Sequence, residues 1–162
     1  TLKMNNLEEK VLISKLYDAS NAGVKIELII RSICCLIPGI PGQSENIRIR
    51  RIVDRYLEHG RIFVFHNAGN PEIYMGSADW MNRNIYSRIE VCFPVYDREI
   101  KDRLMEILQM QLDDQSQAVL LNEKMENIYP YKPHGIGSQS AIYNLLTQQN
   151  PQEKLKVLLE DF

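Results

Sequence analysis

Residues 24–30 read Val-Lys-Ile-Glu-Leu-Ile-Ile, an alternation that becomes continuously apolar before stopping at Arg31. A half-exposed strand alternates and a strand covered on both faces does not, so this segment belongs inside a sheet. A helix precedes it. Asn6 with Glu9 makes a capping-box-like start, Leu12, Leu16 and Ala19 recur at helical spacing, and Asn21-Ala22-Gly23 closes the segment. Helix and buried strand in succession are expected within an α/β fold, a mixed β-sheet flanked by helices. Arg31 then falls at a strand's carboxyl end, where open α/β sheets bind their ligands.

The remaining pattern extends this architecture. Residues 36–46 carry two Pro-Gly steps and form a loop. Ile47 to Val53 alternates loosely, and Tyr56 to His59 is expected to make one helical turn. Arg61 to His66 and Glu72 to Met75 are expected to pair as strands across the turn at 67–71, and a further strand is expected over Arg88 to Pro94. Ile100, Leu104, Ile107, Leu108 and Leu112 mark one face of a helix with Asp97 at its N-cap. Short strands are expected at Ala118–Leu121 and Ile128–Tyr131, and a helix over Ser138–Gln149 with Ala141, Ile142, Leu145 and Leu146 inward. Residues 1–150 thus read as one lobe, and residues 151–162 as a terminal helix or tail.

No apolar run approaches the roughly 20 residues of a membrane span, and no stretch has the form of a signal peptide; a cytoplasmic location is expected. Cys34, Cys35 and Cys92 have neither the count nor the spacing of a disulfide framework or a zinc site. Cys92 is expected to be a small core residue, and the Cys34-Cys35 pair to pack where strand meets loop. No metal held by this chain is expected.

The chemistry is concentrated elsewhere. Eight of the ten arginines (Arg31, Arg48, Arg50, Arg51, Arg55, Arg61, Arg83, Arg88) lie between residues 31 and 88, a window without lysine and with a local balance of +3, in a chain of formal charge −2. Guanidinium forks match phosphate oxygens, although solvated arginines paired with carboxylates would give the same composition. Arg55-Tyr-Leu-Glu-His-Gly-Arg61 places His59 beside Glu58, Gly60 and Arg61, and histidine handles protons near neutral pH. Gly76-Ser-Ala-Asp-Trp-Met-Asn-Arg-Asn84 offers Gly76-Ser77 backbone donors for an anion, Asp79 and Asn82 to orient a histidine or amide, Trp80 as a core anchor, and Arg83. His66 at a strand end and His134 in a loop are the weaker histidine candidates.

These residues resemble the carboxyl-terminal catalytic part of bacterial polyphosphate kinases. The resemblance is carried by Ala22-Gly23-Val24-Lys25-Ile26, by Ile30-Arg31-Ser32-Ile33-Cys34-Cys35-Leu36 with Pro41-Gly42, and by Ser44-Glu45-Asn46-Ile47-Arg48. It continues in Arg55-Tyr56-Leu57-Glu58-His59 with Arg61, in Ser77-Ala78-Asp79-Trp80-Met81 with Arg83-Asn84, and in Arg88-Ile89-Glu90-Val91, reaching more weakly to Ala141-Ile142-Tyr143.

That family resembles the phospholipase D superfamily, whose paired lobes each carry a histidine motif; the second lobe is the one matched, with His59-Gly60-Arg61 in place of His-x-Lys and Gly76-Ser77-Ala78-Asp79 in place of Gly-Ser-x-Asn. The aspartate that usually follows the histidine motif has no counterpart here. The resemblance implies a phospholipase-D-like fold and reversible transfer of the ATP γ-phosphate to inorganic polyphosphate through a phosphohistidine of the preceding lobe. No match to that nucleophile motif occurs in this chain, and alone it is expected to be inactive. Arg31 and His59 are implied as ATP-phosphate contacts, with His59 the acid at the departing ADP; Arg61, Arg83 and Arg88 join them on physical grounds as supporting phosphate contacts.

Mg2+ is implied, with ligands outside this chain. Implied partners are ATP, polyphosphate, upstream domains of the same polypeptide and, at full length, further copies of it, with no nucleic acid and no transmembrane segment; peripheral association with the inner membrane is compatible. Two alternatives stand beside this reading: a half-site of a phospholipase-D-like phosphodiesterase or nuclease, and a non-catalytic polyanion-binding module.

Overall fold

The computed structural model describes residues 1–129 and 133–149. Its centre is a parallel trio of strands, β1 (Leu2–Met4), β2 (Ile26–Ile30) and β3 (Ile47–Arg51), with α1 (Lys10–Asn21) crossing between the first two. Parallel neighbours cannot be joined by a hairpin, so a crossover element of this kind is obligatory. On one flank β4 (Ile62–Phe65), β5 (Glu72–Gly76) and β6 (Cys92–Pro94) add antiparallel, and on the other β7 (Val119–Leu121) and β8 (Asn127–Ile128) do the same. The order β6-β5-β4-β1-β2-β3-β7-β8 is the expected mixed sheet.

The alternation of side chains decides what covers each face. Leu2, Met4, Ile26, Leu28, Ile30, Ile47, Ile49 and Phe63 point to one side, where Ile13 and Leu16 of α1 close a core. Ile29, Ile62, Val64 and Ile73 point to the other, beneath Leu104, Leu108 and Leu112 of α3 (Arg98–Leu112). Asp97 caps α3 through its side chain, which accepts from Ile100 N at 3.0 Å. α4 (Ser138–Gln149) packs beside α3. None of the helices among the described residues is long and apolar enough to cross a membrane.

Several local expectations are corrected. α1 is capped by Glu9 rather than by Asn6: Glu9 Oε2 accepts from Leu12 N at 2.7 Å, while Oε1 accepts from the Tyr86 hydroxyl at 3.0 Å. Glu9→Ala is therefore expected to destabilise the fold, read as a lowered thermal midpoint; an unchanged midpoint would remove the cap from the fold's energetics. The strand expected over residues 88–94 shortens to β6, and a six-residue helix, α2 (Asn82–Ser87), precedes it. β6 ends the sheet, so Cys92 is exposed and not a core residue. Cys34 packs against the main core while Cys35 is exposed.

The segment Tyr56–His59 makes no helical turn, and residues 67–69 form a 3-10 turn with Asn67 and Ala68 in left-handed conformation. On α4, Leu146 is exposed, whereas Ala141, Ile142 and Leu145 are half-buried. The expected strand at Ile128–Tyr131 is described only in its first part, and the expected tail at 151–162 lies outside the described residues.

Candidate active site

β1 and β2 run parallel, so their carboxyl ends bring Asn5 and Arg31 together; β4 runs antiparallel to β1, so its approach delivers His59, Gly60 and Arg61 to the same edge. The return from β5 adds Asp79. Residues 5, 31, 59, 61 and 79 thus meet because of strand direction alone. A narrow cleft opens beside Asn5 and Arg31, lined also by Lys3, Glu58 and Gly60.

A buried carboxylate organises the edge. Asp79, 4% exposed, accepts from Asn5 N at 2.9 Å and Asn5 Nδ2 at 3.2 Å on Oδ1, and from Asn6 Nδ2 at 2.8 Å on Oδ2. Arg61 Nε donates to the same Oδ1 at 3.1 Å in a buried ion pair. Burial alone would push the Asp79 carboxyl up, but the hydrogen bonds from Asn6, Arg61 and Asn5 outweigh it and hold the group below the usual carboxylate range. Two arms leave this hub. Asn5 Oδ1 accepts from Arg31 Nε at 2.7 Å, and the guanidinium of Arg61 reaches His59, Nη1 lying 2.8 Å from Nδ1 and from the His59 carbonyl oxygen.

A guanidinium only donates, so the ring nitrogen that meets it carries a lone pair. Nη2 lies 3.2 Å from Nε2, so the guanidinium faces both ring nitrogens. The imidazole is exposed toward solvent, in contrast to the buried Arg61 beneath it.

Glu58 anchors the other side of the cleft. It pairs with Lys3 and accepts from Gln111 Nε2 at 2.6 Å and Gln139 Nε2 at 3.0 Å. Burial opposes ionisation of Glu58, and Lys3 with the two amides overrides it, placing its carboxyl below the ordinary value. Lys3 is itself pushed down, chiefly by burial.

The other sequence candidates fall into distinct places. Arg31, His59 and Arg61 come together, with Arg61 turned inward to Asp79 and His59. Arg83 and Arg88 are exposed and stand on the α2 side. The Gly76-Ser77 backbone donors are already used, Gly76 N by Arg61 O at 3.2 Å and Ser77 N by Val91 O at 2.9 Å, which removes the expected anion cradle there. Ser77 and Asn84 instead hold Glu90. Trp80 is half-buried and stacks on Phe63 with ring centroids 5.8 Å apart, as a core anchor does. His66 and His134 are exposed. Among the described residues no three His, Cys, Asp or Glu side chains gather as a metal site would require. Asn5, Gln111 and Gln139 were not singled out from sequence; an amide pair, Asn5-Asn6, directly after Leu2-Lys3-Met4 was the one available signal.

A family model described as "Polyphosphate kinase C-terminal domain 2" matches residues 1–139 of this chain. The chain belongs to that family. It is 49% identical over 158 residues to the polyphosphate kinase of Vibrio parahaemolyticus, covering 95% of this chain and 22% of that protein. Against the polyphosphate kinase of Halalkalibacterium halodurans it is 56% identical over 116 residues, covering 72% of this chain and 16% of that protein. The crystal structure of polyphosphate kinase from Porphyromonas gingivalis superposes with a TM-score of 0.88 at 46% identity, over 93% of this chain and 23% of that one. The chain thus spans about a fifth of the length of the relatives it matches. Its mixed sheet flanked by helices is the fold of that carboxyl-terminal domain.

Proposed function

We propose that this domain forms one wall of a polyphosphate kinase active site, in which the terminal phosphoryl group of ATP passes reversibly to inorganic polyphosphate. The observation that supports it best is the linkage of Arg31 and His59, 28 residues apart, to one buried carboxylate at the ligand-binding edge of the sheet. The phosphohistidine belongs to the upstream part of the polypeptide. Mg2+ is a companion of the nucleotide whose ligands lie outside this chain.

Phosphoryl transfer depends mainly on positioning and on neutralising charge over the equatorial and leaving oxygens. Arg31 supplies a fixed guanidinium whose Nη atoms remain for phosphate once Asn5 has engaged Nε. His59 serves the bond that breaks, between the γ-phosphorus and the β–γ bridging oxygen. As imidazolium it has no lone pair for Arg61, so protonation frees the ring to turn toward the departing ADP oxygen and deliver a proton there. Arg61 returns the neutral ring to its place. Arg83 and Arg88 extend the positive surface along which a polyanion approaches.

Arg31 provides the test of phosphate recognition. In the full-length enzyme Arg31→Ala is expected to raise the ATP requirement by about 10–100-fold, the value of a charge-assisted hydrogen bond to phosphate. Arg31→Lys recovers little of it, because a point charge lacks the fork that serves Asn5 and phosphate together. Steady-state kinetics with varied ATP decide the matter; an unchanged KM for Arg31→Ala would exclude it as a phosphate contact.

A further inference from the structure

The segment that carries His59 has no regular structure of its own: between β3 and β4, residues 52–60 form neither helix nor strand. Something outside the segment must therefore hold it. Gln139, in the first turn of α4 and 6% exposed, meets Tyr56 at both backbone groups, Oε1 accepting from Tyr56 N at 2.7 Å and Nε2 donating to Tyr56 O at 2.8 Å. The second Nε2 hydrogen goes to Glu58 Oε1 at 3.0 Å. A side-chain amide that reads the N–H and C=O of one residue fixes the rotation of both flanking peptides, as a neighbouring strand would. It also uses every donor hydrogen the amide owns.

The holding group is itself fixed. Asp114 Oδ2 accepts from Ser138 N at 2.7 Å, and its Oδ1 accepts from Ser116 N and Gln117 N at 2.8 Å, locking the start of α4 to the end of α3. Gln111 of α3 reaches the other Glu58 oxygen, joined there by Lys3 from β1. The chain of contacts runs from Asp114 through α4 and Gln139 to Tyr56 and Glu58, and His59 is the next residue.

We propose that Gln139 is a positioning residue for His59, and that α4 acts as a clamp setting where the imidazole meets the departing phosphate. This rests on the phosphate reading of His59 given above. The clamp acts on geometry and not on nucleotide affinity, so its loss falls on kcat. Misplacement of a reacting group by about 1 Å costs up to 10²-fold.

The experiment is steady-state polyphosphate synthesis by the full-length enzyme carrying Gln139→Glu, alone and combined with His59→Ala. Glutamate keeps the length and the acceptor for Tyr56 N but loses both donors and sets a carboxylate against Glu58. Gln139→Glu is expected to lower kcat about tenfold or more with KM for ATP little changed, and to cost less than about twofold on the His59→Ala background, where nothing remains to position. Equal losses on both backgrounds, or full turnover of Gln139→Glu, would overturn the clamp while His59 keeps its role. Full turnover of His59→Ala would instead remove the phosphate reading and the clamp with it. Should Gln139→Glu fail to fold, Gln139→Asn withdraws the same amide by one methylene with no added charge, and the same two-background comparison applies.

Discussion

Replacing His59 by alanine is expected to slow polyphosphate synthesis by the full-length enzyme about 10²–10⁴-fold, the range associated with a lost proton donor at the leaving group. The fold should survive, because the imidazole is exposed and among the described residues its side-chain partner is the guanidinium beneath it. Arg61 keeps its buried pair with Asp79 and its bond to the residue 59 carbonyl, so the change removes the imidazole and little else. KM for ATP should rise far less than kcat falls. The measurement is polymer formed per enzyme over a range of ATP, with circular dichroism to check the fold. Turnover within about twofold of the parent would place His59 outside the chemistry, given how small a share of the acid–base term would then remain.

The parts of the fold that were legible in sequence are those where periodicity and capping agree. α3 sets Leu104, Leu108 and Leu112 against the sheet behind an Asp97 cap, and it forms where expected, with Ile100 of the expected face left exposed. β2 was readable because its apolar run is bounded by Gly23 and Arg31. What escaped was short or set by distant partners. β1 is three residues with Lys3 at its centre, and a lysine inside a strand that inserts between β2 and β4 makes sense only once Glu58 and Gln111, 55 and 108 residues away, are seen to receive it. α2 has six residues, too few for a helical period to declare itself.

The same division holds at the site. Arg31 and His59 were visible through strand-end position and motif, and Asp79 through its capacity to orient. Asn5 and Gln139 were invisible because an amide acquires meaning from its partners, and theirs lie 26 and 83 residues away. Part of the arginine excess is spent within the fold. Arg61 is spent on Asp79, and Arg50 lies beside Glu27 across the sheet at 4.0 Å.

Asp79→Ala should be the most damaging single change to stability at the site, at about 3–5 kcal/mol, because it strands a buried charge. Arg61 is 8% exposed and would lose its carboxylate; Asn5 N and Asn6 Nδ2 would lose their acceptor at the same stroke. For a domain of this size the loss corresponds to about 6–20 °C in the unfolding transition. The sign of the pH dependence follows from the lowered carboxyl. A group whose folded pKa lies below its unfolded one stabilises the fold above the unfolded pKa, and that contribution is lost as pH falls through the folded value. The parent domain should therefore weaken progressively on acidification through and below the ordinary carboxylate range. Asp79→Ala should lose that part of the slope as well as the stability itself. Thermal unfolding of the full-length enzyme at several pH values reads both quantities. A midpoint within about 2 °C of the parent at neutral pH would mean that Arg61 finds solvent or another partner when Asp79 is gone, and that the carboxylate does not hold the two arms of the site together.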